Sequence, residues 1–274
     1  MGIVYSDEEK KKHLEDDLNR LQKFRLMDDT FMRAVLKNNL KMSQYILRVV
    51  TGLSDRVLTS EKTQEDMKRV TGARSVCLDV YGDDSTGRKY DLEVQKASSG
   101  ARPKRARYHS SVLDIENLDA DQEFEELPET YIIFITEHDV FGEGEPYYFY
   151  DRADKKTGRP RNDEEHILYV NGDYDGDDDI GRLMHDFKCK NPDDMYNKDL
   201  AECARYYKST EKGQEEMCQI MEDLRVESEN RAFELTARNM LRDGVSEKKI
   251  SDYTGLSLEK IEELAKEMGI LAKA

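Results

Sequence analysis

Two short stretches, 75–81 (SVCLDVY) and 90–96 (YDLEVQK), alternate polar and apolar residues and so gather acids on one side of a sheet. Val76, Leu78, Val80, Leu92 and Val94 share one face, and Cys77, Asp79, Asp91, Glu93 and Gln95 share the other. The intervening DDSTGR reads as a turn. Thr86 lies midway between Asp79 and Glu93, so an antiparallel hairpin sets these two carboxylates opposite each other. Opposed residues have Cβ atoms about 5 Å apart, where like charges repel. Solvation, a proton on one acid, or a cation between them would relieve the repulsion, and a divalent cation held by carboxylate oxygens is the most economical of the three.

The elements that must position these acids follow from periodicity. Leu14, Leu18, Leu21 and Leu26 recur at roughly helical spacing after Ser6, with Glu9 three residues on as a capping box, so a charged helix is expected early in the chain. Phe31, Val35 and Leu36, then Leu40, Ile46, Leu47, Val49 and Val50, predict two further helices broken near Asn38 and Asn39. A first strand is expected over 56–64 and a helix over 104–116. The apolar run 130–136 (TYIIFIT) reads as a strand covered on both faces, and weaker strands are expected over 146–151 and 166–171. Helices are expected over 180–187 and 192–207, and a long one over 212–241. The chain thus divides into a charged segment at 1–27, an α/β core at 28–175, an acidic helical extension at 176–241 and a small C-terminal block at 242–274.

Composition sets limits. The 274 residues carry a net charge of −16, which by itself points away from nucleic acid, yet 88–107 holds Arg88, Lys89, Lys96, Arg102, Lys104, Arg105 and Arg107 against only Asp91 and Glu93. The four cysteines show no CxxC spacing and support neither a disulfide framework nor a zinc site. No apolar run is long enough to span a bilayer and the N-terminus has no signal-peptide core, so a cytoplasmic protein without membrane contact is expected.

An acid on one strand followed by Glu-x-Lys on the next is the signature of the PD-(D/E)XK nuclease fold. MDDTFMRAVLKNN, RSVCLDVYGDDSTGRKYDLEVQK, KRARYHSSVLD, LPETYIIFITEHDVFG and GRLMHDFKCKNPDDMYN, in that order over about 27–265, resemble the PD-(D/E)XK nuclease family transposases, relatives of the recombination-promoting nucleases. The resemblance implies a restriction-endonuclease-like core, a mixed sheet flanked by helices, with a helical C-terminal extension. It implies a metal-dependent DNA endonuclease in which Asp79 and Glu93 hold Mg²⁺, with Mn²⁺ as the alternative ion, and no organic cofactor. A metal there lowers the pKa of a bound water and offsets charge on the phosphate.

Gln95 stands where the motif has lysine. An amide can orient a water or a phosphoryl oxygen, but it brings no charge and cannot act as a base. Lys96 is adjacent, on the opposite strand face. In this fold class a helix acid often completes the metal site; Asp29 is preferred over Asp28, and either could instead cap its helix. Asp91 reads as a supporting or solvated acid. Arg102, Lys104, Arg105, Arg107 and Tyr108 are placed to hold a DNA backbone, and His109 reads as a helix-surface histidine.

Two other patterns are set aside. NGDYDGDDDIGR places Asn171, Asp173, Asp175 and Gly176 like an EF-hand loop, but Arg182 stands where the bidentate glutamate belongs, so an acidic loop capping the next helix is expected. The block 247–268 resembles a helix-turn-helix whose second helix offers Glu259, Glu262, Glu263 and Glu267, a poor surface for a polyanion and a better one for packing or protein contact. The competing functional reading is a catalytically weak or inactive nuclease-fold protein acting as a nucleic-acid-binding or assembly module, its acidic helices mediating self-association into a homo-oligomer.

Overall fold

The structure, a computed structural model, describes residues 6–54, 57–67 and 76–270. The expected strand ends at Arg56 and Ser75 fall outside them. The chain divides into two compact units, Gln22–Thr210 and Met1–Leu21 with Glu211–Ala274.

The larger unit is built on a six-stranded mixed sheet, β1 (Leu58–Met67), β2 (Val76–Asp84), β3 (Lys89–Gln95), β4 (Thr130–Thr136), β5 (Tyr147–Tyr150) and β6 (Glu165–Asn171), in the order β1-β2-β3-β4-β6-β5. β1, β2 and β3 form an antiparallel meander; β3, β4 and β6 run parallel; β5 closes the far edge antiparallel to β6. All seven residues of β4 are buried, as its unbroken apolar run requires of a strand covered on both sides. Helix α4 (Pro103–Asn117) carries the chain from β3 to β4. Its Ala106 and Leu113 pack in one apolar cluster with Ile132 and Phe134 of β4 and Tyr169 of β6.

Two helices precede the sheet, α2 (Asp29–Leu36) and α3 (Leu40–Thr51), separated where Asn38 takes φ 57°, a left-handed conformation that asparagine tolerates better than most residues. After the sheet come α5 (Asp179–Lys188) and α6 (Lys198–Ser209), which pack on α3 and α2 respectively. The larger unit therefore runs on to Thr210, whereas the sequence pattern drew a boundary at 175, because the apolar faces of α5 and α6 are buried within it. Asp178 caps α5 by accepting from the Gly181 amide at 2.8 Å, so the acidic loop is a helix cap.

Lys208, in the last turn of α6, is 4% exposed and donates from Nζ to the carbonyls of Gln22 (3.3 Å), Phe24 and Lys190, with the Phe31 ring 5.3 Å away. One buried ammonium thus ties the start of the unit to its last helix.

The smaller unit contains α1 (Asp7–Leu21), α7 (Glu211–Arg242), α8 (Glu247–Thr254) and α9 (Leu258–Glu267). The expected capping box opens α1, with the Ser6 amide donating to Glu9 at 2.8 Å and the Glu9 amide to Ser6 Oγ at 3.3 Å. Asp17, 2% exposed, binds Arg225 of α7 through both oxygens at 2.7 Å. Ala237 and Leu241 of α7 form a small core with Ile250, Ile261 and Leu264, while Glu259, Glu262, Glu263 and Glu267 stay exposed on α9. No helix among the described residues is long and apolar enough to cross a membrane.

Replacing the Lys208 ammonium takes a charged donor from three backbone carbonyls. Lys208→Met is expected to lower the unfolding free energy by about 2–4 kcal/mol, read as a lower urea midpoint at unchanged slope.

Candidate active site

The site begins where β2 and β3 stop pairing through their main chains. Their register runs from Asp83 opposite Lys89 to Val80 opposite Leu92, and one further step sets Asp79 opposite Glu93. At that step side chains replace main-chain acceptors: the Asp79 amide donates to Glu93 Oε1 (3.0 Å) and the Val94 amide donates to Asp79 Oδ2 (3.1 Å). Each carboxylate holds the opposite strand, so neither can turn out to solvent. Asp79 is 8% exposed; Glu93 and Asp91 are fully buried.

Burial of these acids with few cations raises their proton affinity. Burial pushes Asp79 up to about 8, with the charges of Glu93 and Asp29 adding to it, against the Val94 amide and Arg33. Glu93 also rises to about 8, from burial and then the Asp91 charge, opposed by His109, the Asp79 amide and Arg105. Asp91 lies well above the ordinary carboxylate range, chiefly through burial and then the charge of Asp79. Among the described residues, two guanidiniums answer these charges: Arg33 stands 3.9 Å from Asp79 Oδ1 and Arg105 stands 3.0 Å from Glu93 Oε2.

Helix α2 supplies the next acid. Asp29, in its first turn, pairs with Arg33 one turn on and is close enough to raise the proton affinity of Asp79. Burial pushes Asp29 upward too, against the charge of Arg33 and a hydrogen bond with Asp79. Its Oδ1 and that of Asp91 are buried without a hydrogen-bond partner. Asp28, the alternative helix acid, accepts from the Arg25 amide at 2.7 Å and pairs with Lys96, so these two secondary candidates are engaged with each other. Asp29 Oδ1 and Asp91 Oδ1 are carboxylate oxygens of the kind a hard divalent cation takes, and neither has a hydrogen-bond partner.

Gln95 lies beside the acids, donating from Nε2 to Glu93 Oε2 at 3.4 Å. Its amide has room because residue 100 is glycine; a Cβ there would stand 2.1 Å from Gln95 Oε1.

The basic segment divides on folding. Arg88 pairs with Glu129, Lys89 with Asp83 (2.5 Å), Lys96 with Asp28 and Arg105 with Glu93, so four of its seven cations already face acids of the fold. Arg102, Lys104, Arg107 and Tyr108 are exposed at the start of α4, whose first turn has no acid. Arg105 is thus part of the carboxylate cluster, not a free backbone contact.

His109 corrects the surface reading. It is 2% exposed, its Nδ1 is 2.8 Å from Asp91 Oδ2, and its Nε2 accepts from Arg105 Nε at 3.2 Å. Burial holds its proton affinity below the ordinary histidine value. Asp91, read as solvated or supporting, is the buried partner of this histidine. The signal was present: Ala106, His109, Ser110 and Leu113 form one buried stripe at 3, 4 and 7 residue spacings. Arg33 reaches Asp79 from 46 residues away, which no local pattern announces, and Gly100 acts through its clearance for the Gln95 amide.

A second grouping, His185, Asp186 and Cys189, lies at the end of α5. Asp186 there accepts from the amides of Tyr196 (2.7 Å) and Asn197 (2.9 Å), and burial pushes the Cys189 thiol to about 11, which marks a structural junction.

Residues 56–171 match the family model of the PD-(D/E)XK nuclease family transposases. Over these residues the chain is similar to that family. The mixed sheet flanked by helices agrees with that fold, and the domain supports a nuclease-type function on nucleic acid. The matched residues contain Asp79, Glu93, Gln95 and all of α4, while the segments at 27–39 and 181–197 lie outside them. Comparison with curated proteins and with solved structures gives no match.

The raised carboxylates set a pH dependence. Asp and Glu titrate near 4 in an unfolded chain, whereas Asp79 and Glu93 hold protons to about 8 when folded without metal. Their contribution to stability is fully present below about 4 and is lost as pH rises through about 8. The melting temperature in chelator is expected to fall between about pH 4 and 8, and stabilisation by Mn²⁺ to grow over the same range, because the cation replaces the protons. A flat chelator profile would contradict this, and Asp79→Asn should flatten it.

Proposed function

We propose that this protein is a divalent-metal-dependent DNA endonuclease that hydrolyses phosphodiester bonds, with Asp79, Glu93 and Asp29 as the residues that would hold Mg²⁺ or Mn²⁺. The observation that carries the reading is the set of buried carboxylates locked across the β2–β3 splay in a nuclease-family domain. Such a cluster is costly to bury without a cation. A bound ion would supply an acidified water and a counter-charge for the phosphate.

The chain's own residues define the rest. The crossed amide bonds hold Asp79 and Glu93 facing one another. Gln95, whose amide borders Glu93, orients the attacking water by hydrogen bonding. Arg102, Lys104 and Arg107 are exposed at the positive end of the α4 macrodipole, an arrangement that suits a phosphate backbone. Each such contact displaces counterions and makes binding fall with salt. The uncharged Gln95 is the observation that favours the alternative, a binding or assembly module on the same fold, which predicts no metal-dependent cleavage at all.

The test is cleavage of single-stranded, duplex and nicked DNA with Mg²⁺, Mn²⁺ or chelator. Asp79→Asn and Glu93→Gln should each reduce the rate by about 10²–10³-fold while the protein stays folded, and Gln95→Ala by about 10²-fold. Wild-type protein that cuts none of these substrates with either ion would sink the proposal. Gly100→Ala should copy Gln95→Ala, because its methyl displaces the Gln95 amide, and a wild-type rate in Gly100→Ala would remove Gln95 from the mechanism.

A further inference from the structure

Arg105 stands between two groups that could both bind a metal. Its Nη2 donates to Glu93 Oε2 at 3.0 Å and its Nε donates to His109 Nε2 at 3.2 Å. A nitrogen that accepts from a guanidinium presents its lone pair, so the ring proton of His109 is on Nδ1, 2.8 Å from Asp91 Oδ2. Imidazoles that bind metals are held in this way, one nitrogen fixed by a carboxylate and the other facing the ion.

Three further observations point to a ligand at the same place. Asp91, Glu93 and His109 offer ligand atoms that all lie within 4.8 Å of one another. All three are buried, and Asp91 Oδ1 has no hydrogen-bond partner. The Arg105 side chain is the exposed member, 40% accessible where the Glu93 side chain is fully buried. Glu93 divides its oxygens: Oε1 holds the Asp79 amide while Oε2 faces Arg105.

We propose that Glu93 and the Nε2 of His109, oriented by Asp91, form a divalent-cation site that Arg105 occupies in the metal-free protein. The guanidinium supplies one positive charge where the site can take two. Entry of the cation releases Arg105 to the exposed start of α4, beside Arg102, Lys104 and Arg107, where it adds one cation to the phosphate-binding face; this last step rests on the nuclease reading. A nitrogen donor shifts the preference from Mg²⁺ toward Mn²⁺, since imidazole suits transition ions and Mg²⁺ keeps to oxygen.

Pulsed electron paramagnetic resonance of the full chain loaded with Mn²⁺ tests the site directly. Nitrogen modulation on the Mn²⁺ signal is expected in the wild type and should vanish in His109→Asn, with the Mn²⁺ over Mg²⁺ affinity ratio falling about tenfold or more. Because His109 is buried, Arg105→Ala gives a second reading that does not disturb the core: it should bind Mn²⁺ more tightly than the wild type, its competitor having been removed. Bound Mn²⁺ without nitrogen modulation, no bound Mn²⁺, or unchanged affinity in Arg105→Ala would each overturn the inference. Nitrogen modulation in a protein that cuts no DNA leaves this site standing and removes the nuclease reading. Mn²⁺-dependent cleavage without nitrogen modulation does the reverse.

Discussion

The constraint on which the larger unit depends is the burial of acids between β2 and β3. Where an ordinary hairpin would continue its main-chain ladder, Asp79 and Glu93 each accept an amide proton from the opposite strand, at 3.1 and 3.0 Å. These bonds satisfy the backbone and at the same time fix two carboxylates in a place with little water. Moving charge out of water is expensive, so the surroundings must supply protons, guanidiniums or a cation. The placement of α2 and α4 can be understood as the answer, one bringing Asp29 with Arg33, the other Arg105 with His109.

The same constraint explains why local charge in the sequence is a poor guide to free charge on the surface. Between residues 88 and 107 the chain looks ready to bind a polyanion, but Arg88, Lys89, Lys96 and Arg105 are engaged with Glu129, Asp83, Asp28 and Glu93. The cations left exposed lie around the first turns of α4. A net charge of −16 then ceases to conflict with a nucleic-acid substrate, because the two signs are sorted in space. In the smaller unit the exposed face of α9 is rich in glutamate, which suits packing or protein contact better than a nucleic-acid surface.

Much of the frame was legible from residue pattern, for identifiable reasons. The hairpin register follows from a side-chain period of two and the position of its turn, so Asp79 could be set opposite Glu93 before any coordinates. The all-apolar run of β4, the break at Asn38, the capping box at Ser6 and Glu9 and the Asp178 cap are all local signals that act over a few residues. Other features depended on distant parts of the chain. The reach of the larger unit to Thr210 reflects the burial of α5 and α6 against α3 and α2, which no composition change announces. His109 looked like a surface residue because its neighbours Arg105, Arg107 and Tyr108 are polar, although its own position falls on the buried stripe of α4.

The amino-acid sequence alone determined which acids the chain has, their spacing, and the hairpin that makes Asp79 and Glu93 face each other, since strand periodicity and turn position are properties of consecutive residues. Only the tertiary structure decided which group answers each acid: the Arg33 guanidinium from 46 residues before Asp79, the Arg105 guanidinium from the helix after β3 at Glu93, and the His109 ring at Asp91. The physical reason is that charge compensation in a buried, low-dielectric place depends on distances of a few ångströms between elements. Those distances are set by how helices pack on the sheet, and sequence spacing does not encode them.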